Sequence, residues 1–229
     1  MSRPAHEVLA GLVELARGVG AAAEPMLAGL DETAAARKAL AVVAEAGLTA
    51  WTVPQRGCGA DTEGLVAPDE VSLRALCALR SALAYRSGML DVMLVMQGLG
   101  SYALARGGSE ALRDDWLPAV AAGERIAAFA LTEPEAGSDL SGIATRAERT
   151  SAGWRLSGTK TFISNCGIAD LYTLLARTAG EPGDPGDPGD NGGYAREGLI
   201  HQLMICLLYT SPSPRDCVSN LVCRLLLEK

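Results

Sequence analysis

Up to about residue 123, apolar side chains recur every three or four positions; after it they come in short runs or alternate. Leu9, Leu12, Val13 and Ala16 form the i, i+3, i+4, i+7 stripe of a helix with one buried face. Asp31 or Thr33 caps a second helix, with Leu40, Val43 and Ala44 inward and Gly47 as its stop. Residues 51–64, WTVPQRGCGADTEG, read as a loop. A third helix starts near Asp69, carries Leu73, Leu76, Cys77 and Leu83 inward, and ends at Gly88. Residues 89–105 are apolar nearly all round and predict a central buried helix, with their methionines as core filling. Ser109 caps a shorter helix that reaches Trp116 and is bent or ended by Pro118.

The period then changes. RIAAFAL (125–131) predicts a buried strand, GIATRAER (142–149) alternates, and DLYTLLART (170–178) predicts another strand. GWRLSGTKTFISN (153–165) predicts two strands joined by a Ser-Gly-Thr turn, with Lys160 solvating the hairpin end. The expected class is therefore α+β: a helical domain over residues 1–123 followed by a β domain over residues 124–195.

Composition narrows the function. A hydrophobic share of 48% against 21% charged is enough for a packed core, so wholesale disorder is excluded. A net charge of −7 argues against a nucleic-acid partner, which needs clustered Lys and Arg. The six cysteines include no CxxC pair and no histidine at ligand spacing, so no metal site is expected. Cys58 reads as a loop thiol, Cys77 as a small core hydrophobe, and Arg80, Arg86 and Arg106 as helix-surface charges. The start lacks the apolar segment of a signal peptide, and no run of about 20 apolar residues predicts a membrane span, so a cytoplasmic setting is expected.

Two late stretches differ from the rest. Residues 180–193, GEPGDPGDPGDNGG, are a low-complexity repeat expected to be a flexible loop. CLLYTSPSPRD (206–216) breaks the composition and resembles a translated sequencing adapter; residues 196–229 are accordingly expected to be an artefactual or disordered tail.

The chemistry lies in FALTEPEAGSDLSG, residues 129–142, where an apolar run stops in an acidic Pro-Gly turn. Gly137 permits close approach of a ligand. The amides of Ala136, Gly137 and Ser138 are positioned to form a concave donor cluster for a phosphate or other anion, with the Ser138 hydroxyl beside it. Thr132 sits where strand meets turn and can offer a hydroxyl. Glu133 and Glu135 would repel a phosphate, so they are expected to point away or make structural pairs. Some twenty residues on, GTKTFISNCG (158–167) puts Phe162 and Ser164 on one face of a strand, a ring and a hydroxyl suited to a planar heterocycle. Asp139 and Asn165 are expected to hold turns.

Together, ALTEPEAGSDLSG, GWRLSGTKTFISNCGIADLYTLLAR and WLPAVAAGERIAAFALTEP resemble the acyl-CoA dehydrogenase family over about residues 5 to 200. The resemblance implies an N-terminal helical domain, a middle β-barrel-like domain, here truncated, and a C-terminal helical bundle missing from this chain. It implies FAD as cofactor, held by Phe129, Ala130, Leu131, Thr132, Gly137, Ser138, Phe162, Ile163 and Ser164. Thr132 would meet the isoalloxazine edge. Ser138 would contact the pyrophosphate and lie near bound acyl-CoA. Phe162 to Ser164 would form the wall on the other flavin face, Phe162 standing where many relatives carry Trp and Ser164 where many carry Thr. The implied reaction is α,β-dehydrogenation of an acyl-CoA thioester, with hydride transfer to flavin N5 and reoxidation by an electron-transfer flavoprotein, as in fatty-acid β-oxidation and lipid metabolism. A homo-oligomer is implied for the full-length form. The general base would come from the missing domain, so no catalytic residue is assigned. This chain is expected neither to turn over substrate nor to hold FAD tightly. The alternative is a non-enzymatic flavin-binding relative that acts as a binding protein.

Overall fold

The computed structural model describes residues 3–150, 153–178, 200–206 and 224–225. The chain forms two compact units, Met1–Ala128 and Phe129–Lys229. A helical first unit followed by a small mixed sheet is the α+β arrangement expected.

The first unit holds five helices: α1 (Ala5–Leu27), α2 (Glu32–Glu45), α3 (Leu73–Ala84), α4 (Gly88–Gly107) and α5 (Glu110–Ala121). Local chemistry sets several of their ends. The Asp31 carboxylate accepts from the Ala34 amide at 2.9 Å, and Gly47, at φ +73°, follows the end of α2. Ser109 accepts from the Leu112 amide at 3.4 Å, and α5 then runs through Pro118 to Ala121. α1 buries Val8, Leu12, Ala16, Gly20 and Ala23, the expected period, with Leu9 and Val13 half-buried beside them.

α3 departs from expectation. It begins at Leu73, because the Ser72 hydroxyl takes the Ala75 amide at 3.3 Å and so sets the first turn there rather than at Asp69. Its inward face is Ala75, Leu79, Ala82 and Leu83, whereas Leu73 is 74% exposed and Cys77 is exposed. The helix packs on both α1 and α4, and alanines share the buried face with Leu79 and Leu83, which shifts it away from Leu73 and Cys77. Gly88 does not stop α3 but opens α4, the intervening Tyr85, Arg86 and Ser87 making the turn.

α4 is the central helix, packed against α2, α3 and α5. By length and composition alone it could cross a membrane, contrary to the expectation from apolar runs, but its Leu90, Met93, Leu94 and Leu104 are fully buried within the helical unit, as in a core helix. It is not buried all round: Val92, Leu99 and Tyr102 lie 36%, 47% and 51% exposed along one side. Gln97 is buried on the other side. Its amide nitrogen donates to the Val120 and Arg125 carbonyls at 3.1 and 2.8 Å, and its oxygen accepts from the Ala127 amide at 2.8 Å. One side chain thereby satisfies three backbone groups where α5 gives way to the first strand.

The strands are β1 (Ala127–Ala130), β2 (Arg146–Thr150), β3 (Gly153–Ser157), β4 (Leu171–Thr178), β5 (Ile200–Cys206) and β6 (Arg224–Leu225). Their order is β1-β4-β2-β3-β6, with β5 also pairing β4. β2 and β3 form an antiparallel hairpin in which Arg146 faces Ser157 and Thr150 faces Gly153. β2 runs parallel to β4, and β5 antiparallel to it, Leu171 opposite Cys206. β5 and β6 fall within residues 196–229. The repeat at 180–193 and most of the adapter-like stretch lie outside the described residues.

The second strand expected within 153–165 does not form. After β3 the chain runs through an irregular segment and a turn to β4. Phe162 and Asn165 take φ of +56° and +65°, the left-handed region, which no strand accommodates.

Candidate functional site

The acidic turn is a closed bend within the second unit. Glu133 and Ala136 exchange backbone hydrogen bonds in both directions, at 2.8 and 3.3 Å, with Pro134 and Glu135 at the tip. Ala136 is buried with Ile143 and with Leu175 of β4, and Leu131 and Leu140 pack on that cluster. An apolar nub thus anchors an otherwise polar loop. Past it, Asp139 accepts from the Ser141 amide and hydroxyl at 3.0 and 2.6 Å. These two hydrogen bonds hold its carboxyl below the usual range. From β4, the Arg177 guanidinium donates to the Ile143 carbonyl at 2.7 Å and to that of Ser141.

Glu133 carries the polar network. Its carboxylate, 5% exposed, accepts from the Ala144 amide at 2.6 Å, the Thr145 amide at 3.0 Å, the Thr145 hydroxyl and the Lys160 ammonium at 2.8 Å. The expectation that the glutamates make structural pairs holds for this one. Lys160 itself is 3% exposed and also donates to the Leu131 carbonyl at 2.9 Å. Lys160 therefore does not solvate a hairpin end: there is no hairpin, and the buried carboxylate draws the ammonium inward. Gly158 makes room for this. A Cβ there would lie 2.7 Å from the Thr145 Cα, at a φ of +157°.

Burial pushes the Glu133 carboxyl upward, but the hydrogen bonds from Lys160, Thr145 and Ala144 outweigh it and hold the group at about 2. Burial lowers the Lys160 ammonium, and Glu133 partly restores it. Glu133 is thus ionised at neutral pH, and its four donors leave the carboxylate unsuited to act as a base. A carboxylate whose value falls on folding adds stability above its unfolded value, and that stability is lost as pH drops through the folded one. From the ordinary 4.5 to about 2, the contribution is on the order of 3 kcal/mol. We expect urea-unfolding stability to fall steeply from about pH 5 to about pH 2, and the Glu133→Gln variant to lose much of that slope. An unchanged slope in the variant would place the acid sensitivity elsewhere.

The residues singled out in the sequence fall as follows. Phe129 is half-buried and Ala130 buried in β1; Leu131 and Thr132 are half-buried at its end. Gly137 and Ser138 are exposed, and their amides make no hydrogen bond among the described residues. The Ala136 amide is spent on Glu133, so the expected cluster of three donors is a pair. A Cβ at Gly137 would meet nothing within 4 Å, so its surroundings are open. Phe162 is 95% exposed, with Ile163 half-buried and Ser164 exposed. Phe162 and Ser164 do not share a strand face, because Phe162 occupies a bend. Asn165 and Asp139 hold turns as expected; the Asn165 carbonyl accepts from the Ile168 and Ala169 amides at 3.1 and 3.0 Å.

The two segments are joined directly. The Thr161 amide donates to the Thr132 carbonyl at 2.9 Å, one residue from Phe162. A bulky side chain held in left-handed backbone and presented to solvent gains nothing from packing, so its cost of about 1 kcal/mol or more is offset by the surrounding ties. The sequence reading missed the Lys160 role. The available signal was that Lys160 is the single charge in GTKTFISN, some 25 residues after an acid-rich turn.

The donor set suits a group with a flat apolar ring, a polar edge and an anionic tail: an exposed aromatic ring, hydroxyls at Thr132, Ser138 and Ser164, and two available amides beside an open glycine. Comparison with known proteins points the same way. Residues 13–124 match the family model described as acyl-CoA dehydrogenase, N-terminal domain, and residues 128–189 the one described as its middle domain. The chain is 38% identical to cyclohexane-1-carbonyl-CoA dehydrogenase of Geobacter metallireducens over 104 residues, 45% of this chain and 27% of that relative. Among solved structures, butyryl-CoA dehydrogenase from Megasphaera elsdenii superposes with a TM-score of 0.62 at 25% identity, over 77% of this chain and 46% of that one. The FAD complex of PigA gives 0.61 at 26% identity, over 79% and 45%. The chain spans about a quarter of the curated relative and less than half of either structure.

Proposed function

The chain belongs to the acyl-CoA dehydrogenase family, and from that premise we propose that its second unit holds FAD for the α,β-dehydrogenation of an acyl-CoA thioester. The observation that carries the reading is Phe162, a ring 95% exposed in strained backbone, tied through Thr161 to Thr132. FAD, when bound, supplies the acceptor for the hydride that leaves the substrate. The protein's part is to place it. The Phe162 ring covers one flavin face, with Ile163 and Ser164 completing the wall. Thr132 offers its hydroxyl to the ring edge, and Phe129 to Leu131 form the backbone beside it. The free amides of Gly137 and Ser138 receive the pyrophosphate, and the Ser138 hydroxyl lies near the acyl-CoA.

Glu133 is not the base that takes the α-proton, since its buried carboxylate is occupied by four donors and, held at about 2, is too weakly basic. An electron-transfer flavoprotein is the proposed electron acceptor, with a homo-oligomer as the working form. Cys58, Cys77 and Cys166 form no disulfide, which suits a reducing, cytoplasmic setting.

The test separates fold from site. Phe162→Gly removes a side chain that packs on nothing and relieves the left-handed backbone, so stability should stay within about 1 kcal/mol of the parent. FAD affinity, read by flavin fluorescence titration, should weaken by about fivefold, the loss of roughly 1 kcal/mol of stacking. Unchanged affinity would remove Phe162 from the flavin site.

A further inference from the structure

We propose that Glu133 and Lys160 are positioning residues: a buried ion pair that sets the separation of the flavin-edge segment from the flavin wall. The proposal rests on the flavin reading above and goes beyond it, since neither residue would touch the cofactor.

The geometry is a three-point clamp. Leu131, Thr132 and Glu133 are each held by the other segment: the Leu131 carbonyl and the Glu133 carboxylate by Lys160 Nζ, at 2.9 and 2.8 Å, and the Thr132 carbonyl by the Thr161 amide, at 2.9 Å. Thr132 sits between two clamped neighbours, and Phe162 directly follows the clamping pair. The remaining donors on Glu133, from Ala144 and Thr145, fasten the clamp to the start of β2. No regular ladder joins residues 131–133 to 160–162, so these few bonds replace one. An ion pair 3% and 5% exposed is costly to desolvate, and a hydrophobic pair of equal volume would cost less. What the charged pair adds is direction: Lys160 donates to two acceptors on consecutive odd positions of one segment and allows no slip of register.

The test compares the full chain with the Glu133→Gln/Lys160→Met double variant, which leaves no uncompensated buried charge. Three quantities are read: far-UV circular dichroism, FAD affinity by titration, and the visible circular dichroism of bound flavin, which reports the asymmetry around the ring. The expected result is a folded variant with FAD affinity reduced about tenfold and an altered visible band, in line with losing two charge-assisted hydrogen bonds. A variant that melts earlier but binds FAD with parental affinity and an unchanged band makes the pair merely structural and overturns the proposal. Should the double variant fail to fold, Glu133→Gln carries the test. It keeps an acceptor for Lys160 but not the charge, and about a threefold loss of affinity is expected, with parental affinity overturning the proposal. The parental chain is expected to bind FAD weakly; a parental chain that binds none even at FAD concentrations that register weak binding overturns the flavin reading itself, and the positioning role with it.

Discussion

Lys160→Met should destabilise the protein by about 3–5 kcal/mol at neutral pH, the cost of leaving a buried carboxylate without its counter-charge. The methionine fills much of the lysine's volume, so the loss is electrostatic more than steric. It should also flatten the pH response. Without Lys160 the Glu133 carboxyl loses one of the donors that hold it down, while those from Ala144 and Thr145 remain, so its value moves up toward the unfolded one and less stability is lost as pH falls. The variant should therefore lie furthest from the parent at neutral pH and approach it as pH falls from about 5 to about 2, where the parent weakens. Chemical denaturation across this pH range reads both effects. A loss of less than about 1 kcal/mol would mean that Lys160 is not the partner that offsets the burial of Glu133.

Gly100→Val should be comparably severe, for a steric reason. A Cβ at Gly100 would lie 2.7 Å from the Ala127 Cβ, 2.7 Å from the Ala128 nitrogen and 2.8 Å from the Ala128 oxygen. Two of those three atoms are backbone of β1 and cannot rotate away. Gln97, one turn earlier on α4, fixes the same stretch through Arg125 and Ala127. The strand is thus pinned by Gln97 and then laid against a helix surface lacking a side chain. We expect a loss of about 3 kcal/mol or more, with Gly100→Ala showing a smaller part of it. A Gly100→Val protein melting within about 2 °C of the parent would contradict this packing.

The sequence made the class of each half plain, because period carries that information. Asp31 and Ser109, capping residues ahead of apolar periods, marked helix starts that the structure keeps. The phase of α3 was misjudged because leucines were weighted over alanines, whereas Ala75 and Ala82 are buried and Leu73 is exposed. The segment 158–164 looked like a strand from its β-prone residues. Its conformation is set instead by a lysine reaching a carboxylate 27 positions earlier, which no local pattern encodes. The acidic stretch was recognisable as a turn, but the spending of its Ala136 amide and the engagement of Glu133 depend on partners at 133, 144, 145 and 160. Patterns within one element were legible; pairings between elements were not.

The proposed flavin site requires one cofactor lying against both segments at once. Hydrogen–deuterium exchange of the full chain, with and without saturating FAD, tests it most directly. At short exchange times, peptides containing Gly137 and Ser138 and those containing Phe162 to Ser164 should both slow on adding FAD. Protection of neither, or protection confined to peptides outside residues 129–138 and 158–167, would contradict the assignment.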